Sequence, residues 1–230
     1  MPLRVRDAAV DGLTLQGISH RYGSGPVVLG DIDLTIAPGE SVALTGPSGS
    51  GKTTLLSIMG LLTSPRDGTV FLDSTAVPTG GPARGRLRAE AYAWVFQTVN
   101  VLGHRTARDN AALGLLARGV PRVEASRRAE DALEAVGLAE HAAARVVDLS
   151  GGELQRVCIA RAVASSPRFV LADEPTGQLD HATSERALDA LWSARHPDTS
   201  IVIATHDGSV ARRCDRVIGL VDGRTVEEAR

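Results

Sequence analysis

Apolar positions along the chain fall into stretches of two different periods. Residues 13 to 36 alternate short apolar runs with the turn signals Tyr22-Gly23-Ser24-Gly25-Pro26 and Leu29-Gly30-Asp31, which predicts an antiparallel hairpin arrangement. After Pro38-Gly39 the pattern changes. Ser41-Val42-Ala43-Leu44-Thr45 reads as a short buried strand running into a glycine-rich turn, and Lys52 to Leu62 follows with Leu55, Leu56, Met59 and Leu62 at helical spacing. Tyr92 to Phe96 alternates large and small side chains, a strand with its aromatics on one face. From Thr106 to Arg145 Ala, Leu, Arg and Glu dominate, with a break at Gly119-Val120-Pro121, so this segment is predicted mostly helical. Phe169 to Ala172 and Ile201 to Ala204 are continuous apolar runs typical of parallel strands covered on both faces, with helix-forming Ala182 to Ala194 between them. No internal repeat and no low-complexity linker interrupts the pattern, so the expectation is one α/β domain with a helical insertion and a small β portion at its start.

Composition narrows the function classes. Of 230 residues 43% are hydrophobic, which supports a real core and excludes disorder. A net charge of -2 gives no general positive field for nucleic acid. No stretch approaches membrane-spanning length and Met1 to Asp7 lacks an apolar region of signal-peptide size, so the chain is expected to be soluble and to stay where it is made. Cys158 and Cys214 lie in apolar patterns and fit neither a disulfide framework nor a metal cluster. Lys52 is the sole lysine of the chain; every other cation of the Lys and Arg count is arginine.

That lysine lies in Gly46-Pro47-Ser48-Gly49-Ser50-Gly51-Lys52-Thr53, which matches the phosphate loop G-x-x-x-x-G-K-[ST] between a strand and a helix. Glycines let backbone N–H groups approach phosphate oxygens, and the helix that follows directs its positive end at the same anion. Lys52 supplies a compact charge for the β- and γ-phosphates, where a guanidinium fork is too wide, and the Thr53 hydroxyl can reach Mg²⁺. The bland alternative is a glycine-rich turn before a helix.

Phe169-Val170-Leu171-Ala172-Asp173-Glu174 is an apolar strand ending in two carboxylates, the arrangement expected of a Walker B strand. Asp173 is placed to hold Mg²⁺ through its water shell, and Glu174 to orient and deprotonate an attacking water; the competing reading is two solvated acids. Leu149-Ser150-Gly151-Gly152-Glu153 opens a helix, and Ser150 with Glu153 satisfies a capping box without any ligand. Two glycines in a first turn cost about 1 kcal/mol each against alanine, which capping does not account for and a closely approaching phosphate would.

Gly46 to Thr53, Leu149 to Glu153 and Phe169 to Pro175 together resemble the Walker A, signature and Walker B motifs of ABC-type ATPases, and the likeness covers essentially the whole chain. The resemblance implies an α/β fold with a P-loop NTPase (RecA-like) core, an antiparallel β subdomain and an inserted α-helical subdomain near 98–165, all within one domain over 1–230. It implies ATP and Mg²⁺ as cofactors and a catalytic set of Glu174, His206, Gln97 and Lys52. Gln97 falls where the family's Q-loop glutamine touches Mg²⁺ and the attacking water, so the metal set becomes Thr53, Gln97 and Asp173. His206, after the strand 201–204, matches the switch histidine that contacts the γ-phosphate. ATP contacts are implied from Tyr22, stacked on adenine, and from Gly46, Pro47, Ser48, Gly49, Ser50, Gly51, Lys52, Thr53 and Thr54. Across a dimer interface they are implied from Ser150, Gly151, Gly152, Glu153 and Asp180, because in this family the signature loop of one subunit closes on ATP held by another.

The segments 96–102, 149–162 and 172–180 are similar to the lipoprotein-release and macrolide-export branch of that family. Departures from the branch are Gln178 in place of Asn, Gly103 in place of Pro, and a shorter stretch around Asp67-Gly68. The implied partners are a second copy in the ATP-bound state and a separate transmembrane permease subunit, with no nucleic acid. The implied location is cytoplasmic, peripheral on the inner face of the cell membrane through the permease. A regulatory ATPase of the cell-division type, signalling through a membrane partner without transport, is the alternative. Residues 54 to 148 show no sustained heptads, which argues against the soluble ABC proteins of repair and translation.

Overall fold

The computed structural model describes residues 11–177, 179–193 and 196–227. The predicted hairpin is present: β1 (Leu13–Arg21) and β2 (Val27–Ile36) pair antiparallel, with Leu15 opposite Leu34 and Ile18 opposite Ile32. β3 (Ser41–Thr45) follows, then α1 (Lys52–Met59). This helix stops three residues short of the sequence expectation. Leu61 takes a left-handed backbone conformation (φ 59°) and the Leu62 N–H is donated to Ser57 O at 2.9 Å, a Schellman-type closure that leaves Leu62 exposed. β4 (Asp67–Leu72) and β5 (Thr75–Ala76) extend the first sheet, whose order is β2-β1-β4-β5.

α2 (Gly81–Ala91) leads into β6 (Tyr92–Val95), where Tyr92 stacks on Phe169 and Trp94 on Phe96, both pairs with centroids 5.1 Å apart. The helical stretch resolves into α3 (Ala107–Ala117) and α4 (Arg122–Ala135), interrupted where the Gly-Val-Pro break predicted. Both pack on α5 (Gly151–Ala164). β7 (Phe169–Asp173), α6 (His181–Ser193), β8 (Ser200–Ala204), α7 (Gly208–Ala211), β9 (Arg216–Val221) and β10 (Arg224–Glu227) complete the order. The departure at Gln178 and the helix-end residue Ala194 lie outside the described residues, as does the N-terminal segment read for a signal peptide.

The second sheet runs β10-β9-β3-β8-β7-β6 and is parallel except for β10. Its central strands β3, β7 and β8 are buried on both faces, which is why they read as unbroken apolar runs. Along β7, Phe169 and Leu171 enter a core shared with α1 and the antiparallel sheet, while Val170 and Ala172 enter a core shared with α3, α4 and α5. β8 does the same with Val202 and Ala204 against Ile201 and Ile203. Cys158 and Cys214 are buried and are not joined in a disulfide.

The C-terminal ends of β3, β7 and β8 therefore lie side by side, with Asp173 paired to Ala204 and Leu44 also paired to Ala204. Ligand sites of parallel sheets form beyond such strand ends.

Candidate functional site

Loop 46–51 leaves β3 in a conformation only glycine accepts at two tightly packed points. Gly46 has φ 136° and a Cβ there would fall 2.2 Å from Leu220 O; Gly51 has φ 104° and its Cβ would fall 2.8 Å from Leu29 Cδ2. Packing as well as phosphate approach thus explains these glycines. Lys52, the first residue of α1, turns its ammonium back over the loop and donates to Gly46 O at 2.7 Å and Pro47 O at 3.0 Å. The charge is centred in the ring of the loop, where it also draws the loop closed.

Thr53, the next residue, donates its hydroxyl to Asp173 Oδ2 at 2.8 Å, joining the start of α1 to the end of β7. Partial burial, and then the neighbouring Glu174 charge, push the Asp173 carboxyl above the usual aspartate range against the opposing effects of Thr53 and Lys52. A carboxylate held at such a cost beside a hydroxyl is a fitting pair of hard oxygen donors for a divalent cation. Among the described residues no group of three or more His, Cys, Asp or Glu forms a closed metal cage, so an ion here would take its other ligands from phosphate and water. Gln97 is exposed and shares a cleft of about 480 Å³ with Asp173.

Glu174 adopts a left-handed φ of 45°, a conformation that costs a non-glycine residue about 1–2 kcal/mol. Three contacts hold it. Its N–H is donated to Ala204 O at 2.9 Å, Oε1 lies 2.7 Å from His206 Nδ1, and Oε2 accepts from the Thr205 hydroxyl at 3.4 Å. Glu174 and His206, predicted from separate motifs, are brought together, and both line a cavity of about 290 Å³ with Thr176, Leu179, His181 and Glu185.

Tyr22 follows β1 directly. Its hydroxyl is 3.2 Å from Thr54 Oγ1 and its ring is edge-on to His20 with centroids 4.8 Å apart, so the exposed ring stands beside the first turn of α1. The Ser50 hydroxyl is buried without a partner.

Ser150 and Glu153 form the complete capping box: Ser150 N–H and Oγ–H are donated to Glu153 Oε2 at 2.8 and 2.7 Å, and Glu153 N–H to Ser150 Oγ at 3.4 Å. These bonds hold the Glu153 carboxyl below its ordinary range. A Cβ on Gly152 would press Leu179 Cδ2 at 3.2 Å, whereas one on Gly151 would meet open space. The second glycine thus has one tight neighbour, the end of a flexible side chain, and the first has none. Asp180 caps α6, accepting from Thr183 N–H at 3.0 Å; bonding by the Thr183 side chain, and then by that N–H, lowers its carboxyl below the usual range. Within one chain Ser150, Glu153 and Asp180 spend these bonds on helix caps and not on loop 46–51.

Sequence reasoning missed two residues. Thr205 steadies Glu174, and Gln155 is buried between the Gln97 loop and the segment after Glu174. The signal for Thr205 was its place beside His206 at a strand end; for Gln155 it was a lone amide among apolar helix positions.

Comparison with known proteins agrees with this geometry. Residues 29–177 match the ABC transporter family. The chain is 42% identical over 220 residues to the lipoprotein-releasing system ATP-binding protein LolD of Pseudomonas syringae pv. tomato, covering 94% of this chain and 97% of that protein. It is 40% identical over 222 residues to the macrolide export ATP-binding/permease protein MacB 1/2 of Paracoccus denitrificans, covering 95% of this chain but 33% of that longer protein. Among solved structures, a dimeric post-hydrolysis state of the ATP-binding cassette MJ0796, bound to ADP and Pi, superposes with TM-score 0.85 at 34% identity and covers 95% of this chain and 98% of that one. A phosphate loop, a Walker B strand end and a signature helix in this arrangement, on a chain so related, belong to the ABC transporter family: this is one of its ATP-hydrolysing subunits, in the lipoprotein-release and macrolide-export branch.

Proposed function

We propose that the chain hydrolyses ATP as an Mg²⁺-dependent dimer and passes the work to a separate membrane permease, for export or for mechanical work beyond the membrane. Among the described residues no helix is long and apolar enough to cross a bilayer, and the chain spans nearly the full length of a relative named as the ATP-binding protein of a releasing system. In this reading the chain acts on the cytoplasmic face, and its substrate is met by the permease.

The observation that carries the reading is the meeting of Lys52, Thr53, Asp173, Glu174 and His206 at three adjacent strand ends. Backbone N–H groups of Gly46, Ser48, Gly49, Ser50 and Gly51 and the ammonium of Lys52 grip the β- and γ-phosphates, with Pro47, which has no N–H, shaping the loop, and Thr54 and Tyr22 extending the contact toward the adenine. Thr53, Asp173 and Gln97 would hold Mg²⁺, which when bound neutralises phosphate charge. Glu174 takes a proton from the attacking water, and His206 orients that carboxylate and reaches the γ-phosphate. Ser150, Gly151, Gly152, Glu153 and Asp180 of a second copy complete the enclosure, with residues near 98–165 moving as a helical subdomain.

Glu174→Gln tests this. It should bind ATP with unchanged affinity, lose at least about a hundredfold in turnover, and run as a dimer on size exclusion with Mg²⁺ and ATP. Wild-type turnover in that variant would remove Glu174 from the chemistry.

A further inference from the structure

Gln155 lies on α5, five residues past the Ser150 cap, and is almost fully buried. Its single Nε2 donates to two main-chain carbonyls, Pro175 O at 2.9 Å and Phe96 O at 3.3 Å. Phe96 precedes Gln97, and Pro175 follows Glu174. One amide nitrogen thus ties the signature helix to the loop of Gln97 and to the segment that carries Glu174. Because both acceptors are carbonyls, chemistry fixes which edge of the amide faces them, and Oε1 is left buried without a donor. The amide thus brings with it a buried, unpaired acceptor that a side chain needed only for bulk would not carry.

We infer that Gln155 is a positioning residue: it holds Gln97 and Glu174 in fixed relation to the Ser150 end of α5, so that a displacement of α5 reaches both at once. The inference rests on the roles proposed for Gln97 and Glu174. Neither a glutamate, whose charge would face two carbonyl lone pairs, nor a leucine, which has no donor, can make the same tie.

Two substitutions test it. Gln155→Leu keeps the bulk and removes both donors, and Gln155→Glu keeps the shape and repels both carbonyls. Melting temperature, affinity for a fluorescent ATP analogue, and kcat and KM for ATP are measured on the purified chain, alongside Gln97→Ala and the double variant Gln155→Leu/Gln97→Ala. The expected result is a fall in kcat of about tenfold or more in folded Gln155 variants, with affinity and KM within about threefold of wild type. The double variant should lose less than the product of the two single losses, since part of the effect of Gln155 runs through Gln97 and the rest through Glu174. Unchanged kcat in either folded variant, fully multiplicative losses in the double variant, or failure of both substitutions to fold would overturn the inference and leave Gln155 a core residue. If Gln97→Ala and Glu174→Gln themselves turned over normally, the site reading would fall first; if they lose turnover while folded Gln155 variants keep it, this inference alone falls.

Discussion

His206 Nδ1 lies 2.7 Å from Glu174 Oε1, and the two side chains differ sharply in exposure, 77% for the histidine and 14% for the glutamate. The carboxylate is therefore held on one side by a ring that is itself largely open to solvent. His206→Ala should lower kcat by about a hundredfold while leaving nucleotide affinity within about threefold, since in the proposed mechanism the histidine acts on the carboxylate and the γ-phosphate and not on the rest of ATP. Steady-state ATPase assays with nucleotide titration check this; an unaltered kcat would detach His206 from the reaction.

Lys52 makes a different demand. Losing a charge-assisted bond to phosphate costs about 1.5–3 kcal/mol, so Lys52→Ala should weaken ATP binding by about ten- to a hundredfold in calorimetry. Lys52→Arg should recover little of it, because the guanidinium cannot fold over Gly46 O and Pro47 O as the ammonium does.

The same lysine offers a chemical test. As the only lysine, it is the only side-chain amine an acylating reagent can find. Mass spectrometry of the acetylated chain should show modification there, suppressed at least about tenfold by Mg²⁺ and ATP if the phosphates shield it. Equal labelling with and without nucleotide would contradict the cradle.

Asp173 links stability to pH. Burial, then Glu174, raise its carboxyl, so the native chain holds that proton more tightly than the unfolded chain does. Native protein then binds more proton between the ordinary and the raised value, and this group's contribution falls as pH rises, its full cost present at neutral pH. Asp173→Asn should raise the melting temperature at neutral pH by about 2 °C, a gain that shrinks toward the ordinary aspartate value of about 3.9, while ATP hydrolysis is lost. A lower melting temperature would oppose the assigned cause.

Glycines in the two motifs should respond differently. Gly46→Ala drives a Cβ against the Leu220 carbonyl and should destabilise by about 2–3 kcal/mol or prevent folding. Gly151→Ala points into open space, so its melting temperature should be close to wild type and any defect should appear in ATP-dependent dimerisation.

Much of this was legible in the residue order because the strands near the site are buried on both faces and end at the candidate site residues. Phe169 to Glu174 announces both its burial and its chemistry. The end of α1 was less legible, since Leu61 and Leu62 continue the helical period and only a left-handed turn at Leu61 stops it. The Glu174–His206 contact joins positions 32 residues apart through adjacent strands, a pairing that motif order cannot give without the sheet. Gln155 was hidden for another reason: its partners are main-chain carbonyls, which carry no side-chain signature. The residues of Ser150 to Glu153 posed the opposite problem, as one capping box serves both a plain helix start and a site.

The alternation along β7 limits how that strand can fail. With Phe169 and Leu171 committed to one interior and Val170 and Ala172 to the other, a slip of one residue would exchange large and small side chains on both sides at once. Asp173 and Glu174 are thereby pinned along the strand axis like teeth on a keyed shaft, and errors of reach at the reacting end must come from bending or from the surrounding loops, never from sliding.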